Sequence, residues 1–141
     1  MEGRTPEFLT LADVLKMHAT SLARWGGQDG VRDLGAVESA VMQPQAMFGG
    51  EYLHEDVFAM AAAYAFHISE SQAFFDGSKR TAVFAALGFL ELNGVLFPEP
   101  QDDILYLAMI DVANHAMSKA QLAQLFRDLA TTSARTPRGA P

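Results

Sequence analysis

At 141 residues, half of them hydrophobic and 19% charged, the chain holds enough apolar material for one cored domain and is unlike a disordered acidic segment or a coiled coil. A net charge of −7 excludes a general nucleic-acid surface, because phosphate neutralisation supplies most non-specific affinity, so any phosphate chemistry has to rest on a small local basic cluster. The absence of cysteine rules out a disulfide framework and a thiolate zinc site, and fits a reducing compartment.

Thr10 is placed to cap a helix running to about Arg24, in which Leu11, Val14, Leu15, His18, Leu22 and Trp25 recur near helical spacing before Gly26 and Gly27 stop it. Asp33 opens a second helix through Val37, Val41 and Met42, limited by Pro44. Residues 44–56 form a loop with two glycines, with room for a short extended pair over 47–52. From Asp56 the stretch VFAMAAAYAFHI is apolar on all sides, as is TAVFAALGFLEL from Thr81, which Asn93 and Gly94 close. In a water-surrounded protein such helices run through the core. A third apolar run covers 104–117, and Ser118 caps a last helix, KAQLAQLFRDL. The fold class expected is all-α, about six helices in a single domain over 1–130, with a disordered polar tail over 131–141. The apolar runs are too short to span a bilayer and MEGRTPEF lacks a signal-peptide core, so the expected location is the cytoplasm, without membrane contact.

Between the two all-apolar helices stands QAFFDGSKRTA, residues 72–82. A polar loop in that position emerges at the surface, because its backbone groups find no partners inside. Asp76 is placed to cap the second helix, and Gly77 to let a ligand approach the main chain. The N–H groups of Gly77, Ser78, Lys79 and Arg80 then face outward at the positive helix end, as an anion nest. Lys79 and Arg80 stand where the helix dipole disfavours cations; a polyphosphate in the nest would offset that. Asp76 beside such phosphates is a candidate Mg²⁺ ligand. The structural alternative is a plain turn with Asp76 as cap and two solvated cations.

The run resembles the Fic/Doc family signature, H-P-F-x-D-G-N-K-R-T-A in the Doc (death-on-curing) branch, at Phe74, Asp76, Gly77, Lys79, Arg80, Thr81 and Ala82. RWGGQDGVRDLGAVESAVMQPQAMFGGEYL and AAAYAFHISES resemble further Doc-branch patterns, so the likeness covers roughly residues 9–129. The resemblance implies a Fic-type helical bundle around a central motif loop and helix. It implies transfer from ATP or a similar nucleotide: AMP in Fic enzymes, a phosphoryl group in Doc toxins, which act on elongation factor Tu and are held off by an antitoxin in trans. By position, Asp76 would hold Mg²⁺, Gly77, Ser78 and Lys79 would line the phosphate nest, and Arg80 would clamp a phosphate. Phe74 would be buried to fix the loop, and residues 47–52 would be the flap that aligns the target.

Two departures stand inside the motif. Gln72 occupies the position of the family's catalytic histidine, and Ser78 that of its asparagine; Ala73 replaces a proline. A glutamine amide has no basic site near neutrality, and loss of general-base help lowers rates about 10²–10⁴-fold. Of the four histidines, His67 and His18 read as core or capping residues, and His54 and His115 as surface residues; Glu70 would need a raised pKa to act as base. No glutamate has Ser or Thr four residues before it, so the inhibitory [ST]-x-x-x-E-[GN] helix of self-silenced Fic proteins is absent. The functions expected are a Doc-like toxin with weakened or lost catalysis, a transferase relying on metal and positioning alone, or a non-catalytic nucleotide- or partner-binding module.

Overall fold

The computed structural model describes residues 5–97 and 99–135. Six helices follow one another: α1 (Leu11–Trp25), α2 (Leu34–Met42), α3 (Val57–Ser71), α4 (Ser78–Leu92), α5 (Asp102–Ala113) and α6 (Lys119–Arg135). A one-turn 3-10 segment (Gln43–Gln45) and a two-stranded hairpin, β1 (Met47–Phe48) and β2 (Glu51–Tyr52), join α2 to α3. The strands pair antiparallel, Met47 with Tyr52 and Phe48 with Glu51.

The caps expected at Thr10, Asp33 and Ser118 form. Thr10 Oγ1 accepts from Asp13 N at 3.1 Å while the Asp13 carboxylate accepts from Thr10 N at 2.8 Å, a reciprocal box. Asp33 and Asp56 accept from Ala36 N and Ala59 N, and Ser118 with Gln121 makes a second reciprocal pair at α6. Helix α5 starts at Asp102 and ends at Ala113, short of the run to 117 read from hydropathy. His115 adopts φ 61° there, and Ala116 N and His115 N donate to Asp111 O and Val112 O. This left-handed closure satisfies carbonyls that water would otherwise take. Helix α6 continues to Arg135, into the stretch assigned to the tail; residues 136–141 lie outside the described residues.

Helices α3 and α4 form the centre and pack most extensively on each other, with α6, α2 and α5 against α3 and α1 against α4. Alanines 61–63 and 65 of α3 and Ala82, Ala85 and Ala86 of α4 are buried, and side chains that short let the two backbones approach closely. Larger groups fill the ends: Tyr64, Ile68, Phe89 and Leu90 are fully buried. The Tyr64 hydroxyl accepts from Leu9 N at 2.8 Å; burial, offset in part by that bond, pushes its pKa up to about 12. The segment before α1 thus lies on the core, with the Phe8 ring stacked on Phe89. The α3–α4 connection, residues 72–77, joins these two central helices. No described helix is long and apolar enough to cross a membrane.

Candidate functional site: the open end of the second central helix

The α3–α4 connection is fixed by two neighbours, the α1–α2 loop and α1 itself. Arg32 N and Asp33 N donate to Ala73 O at 2.6 and 3.1 Å, and Val31 bridges Phe74. Gln28 N donates to Asp76 Oδ2 at 2.7 Å. From α1, the buried His18 stacks on Phe74 with centroids 3.9 Å apart, and its Nε2 lies 2.7 Å from Asp76 O. A carbonyl only accepts, so Nε2 carries the proton. His18 is therefore neither plain core nor a helix cap: it holds the motif backbone. Phe74 is buried as the anchor of that loop.

Helix α4 begins without a side-chain cap. Asp76, expected to cap it, does not: its carboxylate is turned to Gln28, and the N-cap position belongs to Gly77 at φ 85°. A Cβ at residue 77 would lie 2.9 Å from Ser21 Oγ, so glycine is required by the left-handed backbone and by α1 packing. The first-turn N–H groups of α4 remain without side-chain acceptors, and the turn carries Lys79 and Arg80 and no acid.

Asp76, Gly77, Ser78, Lys79 and Arg80 line one cavity of about 290 Å³ together with Phe75 and Tyr106. A larger cavity of about 440 Å³ lies between α1 and α4, around Met17, Phe84 and Leu87; it carries no motif residue, and the smaller cavity is the more polar of the two. Gln72 is not in the cavity lining. It ends α3 in the left-handed region, φ 53° and ψ 31°, and is exposed. A non-glycine residue held there is strained by roughly 1–2 kcal/mol, a feature that clusters at functional loops. Arg80 lies 4.2 Å from the Trp25 ring centroid and 3.8 Å from that of Tyr106. Sequence reading overlooked both rings, which come from the end of α1 and from α5; a lone tryptophan closing an amphipathic helix was the available signal.

The other histidines stand apart from this site. His67 is half-buried, with Nε2 at 3.0 Å from Lys119 Nζ, and His54 approaches the same ammonium at 3.5 Å. Burial, then the charges of Lys119 and His54, lower the His67 pKa to about 4. Neither histidine fits its expected setting, core for His67 and surface for His54; both tie the flap and α3 to α6. Among the described residues no cluster of three or more His, Asp or Glu suits a resident metal ion. A single carboxylate, Asp76, with only one oxygen engaged, suits a Mg²⁺ that arrives with phosphates.

A Fic/DOC family model matches residues 8–90, more than half of the chain, from before α1 to near the end of α4. Toxin Doc of Mycolicibacterium smegmatis is 42% identical over 89 residues, which is 63% of this chain and 66% of that protein. Protein kinase doc of Escherichia phage P1 is 33% identical over 90 residues, 63% of this chain and 71% of the phage protein. The chain therefore belongs to the Fic/DOC family, in its Doc branch.

Proposed function

We propose that this chain is a Doc-like toxin of a toxin–antitoxin pair, which binds Mg²⁺ with ATP or a similar nucleotide for transfer of a phosphoryl or AMP group to a protein hydroxyl, elongation factor Tu being the target class, with that activity weakened or lost through Gln72 and Ser78. The observation that carries this reading is the uncapped start of α4 with Lys79 and Arg80 beside Asp76 in one cavity. The N–H groups of Gly77, Ser78 and Lys79 bind phosphate oxygens at the positive helix end, and Arg80 clamps a further phosphate through charge-assisted bonds. Mg²⁺ on Asp76 supplies neutralisation of phosphate charge when bound. The flap, with Phe48 80% exposed at its turn, offers a strand edge to an extended target segment. The antitoxin helix finds an apolar groove between α1 and α4, rimmed by Lys16 and Arg24.

Attack by the target hydroxyl oxygen on phosphorus forms one P–O bond and breaks the P–O bond to the leaving group, ADP in phosphoryl transfer or pyrophosphate in AMP transfer, and the hydroxyl proton passes to water or to that leaving group. Gln72 orients the hydroxyl without accepting that proton, so transfer relies on alignment and electrostatics. The same residue, with Ser78, favours the second reading, a module that keeps nucleotide or partner binding and has lost the chemistry.

The two readings separate in bacteria. Expressed from a tight promoter, the unaltered chain is expected to leave growth unaffected, and Gln72→His with Ser78→Asn to arrest growth and label elongation factor Tu, both suppressible by the neighbouring gene product. Arrest by the unaltered chain would contradict the weakened site; silence from the double variant would favour the non-catalytic module.

A further inference from the structure

Arg80 is restrained without an acidic partner. Its guanidinium carbon lies over the rings of Trp25 and Tyr106, 4.2 and 3.8 Å from their centroids, so aromatic surface is set against the cation from two separate helices. Trp25 also leans on Phe84, at 5.5 Å between centroids, four residues after Arg80 and on the same face of α4. Arg24 lies 4.8 Å from the same indole. The ion pairs found among the described residues are those of Arg127, and none involves Arg80.

Ring stacking engages the faces of a guanidinium. Its five N–H donors lie in the plane and stay available at the edge, the geometry that meets phosphate bidentately. A carboxylate partner would have fixed Arg80 equally well and consumed those donors. An unrestrained arginine would keep its donors and lose most of its rotamer freedom on clamping. The two rings restrain the side chain while the donors stay uncommitted, and Arg80 and Tyr106 line the cavity at the start of α4.

We propose that Trp25 and Tyr106 are positioning residues that preorganise Arg80 for phosphate, a role that rests on the nucleotide-site reading above. Calorimetric titration of the full chain with Mg²⁺·ATP and with inorganic tripolyphosphate tests it. Trp25→Leu and Tyr106→Leu are expected to weaken both ligands about tenfold, in the range of a partly desolvated cation–π contact. Trp25→Phe and Tyr106→Phe, which keep a ring face, should stay near the wild-type value, an outcome that loss of general packing would not give. The wild-type chain alone allows a second measurement: ring currents should move the Arg80 side-chain proton resonances upfield without any ligand. Leucine variants that bind as tightly as wild type, or Arg80 resonances at unshifted positions, would overturn this role and leave the nucleotide site standing. A wild-type chain that binds neither ligand would overturn the nucleotide site, and this role with it.

Discussion

The two central helices begin in opposite ways. Helix α3 is closed: Asp56 accepts from Ala59 N at 2.8 Å, and Arg127 of α6 grips the same carboxylate at 3.0 and 3.1 Å while also reaching Glu55. Burial pushes the Asp56 carboxyl up, but the bonds from Arg127 and Ala59 outweigh it and hold its pKa below the usual value. Helix α4 is open: it has a glycine N-cap, no side-chain acceptor and two cations in its first turn. One helix start has been satisfied for stability. The other leaves its first-turn donors and cations without side-chain acceptors, and its neighbours hold that arrangement through main-chain bonds, ring stacking and the Gln28–Asp76 bond.

Removing the clamp at the open end gives the largest expected effect. Arg80→Ala should weaken Mg²⁺·ATP binding about 10–100-fold, the loss of one or two charge-assisted bonds, with thermal stability nearly unchanged; calorimetry alongside a melting curve reads both. Asp56→Ala at the closed end should do the reverse. Loss of a good cap costs about 1–2 kcal/mol, enough to lower the melting temperature of a domain this size by several degrees, while nucleotide affinity stays as it was.

Much of this contrast was legible in the sequence, and the gaps have a common cause. Thr10, Asp33 and Ser118 were readable as caps because a cap and the N–H it serves are three residues apart. Asp76 looked the same, yet Gln28 N, 48 residues away, claims its carboxylate. The meeting of Trp25, Arg80 and Tyr106, and the hold of Arg127 and Lys119 on the flap base, are likewise contacts between distant segments, set by how helices pack. The end of α5 was misread for a local reason, since His115 takes the left-handed position that glycine normally marks.

A smaller effect sharpens the comparison further. Lys79→Glu places an acid where the α4 dipole favours one, and should raise stability by about 0.3–1 kcal/mol in low salt while weakening nucleotide binding. A change that strengthens the fold and harms the ligand marks a site kept open at some expense to stability. A separate effect is on pH. The folded His67 holds its proton only below about 4, against 6.5 for the ordinary imidazole, so the unfolded chain binds more protons in between. Stability should be full above pH 6.5 and decline as pH falls towards 4. His67→Asn should flatten that part of the stability–pH curve, measured by urea unfolding, without changing nucleotide affinity at pH 7.

The central claim, that the start of α4 is a phosphate site, is tested most directly by following backbone amide resonances during a titration with Mg²⁺·ATP. Saturable shifts should concentrate at Gly77, Ser78, Lys79 and Arg80, with the amides of Val57, Phe58 and Ala59 at the capped start of α3 unmoved. Shifts centred instead on the α1–α4 groove around Met17 and Leu87, or no shift at residues 77–80 at saturating nucleotide, would contradict it.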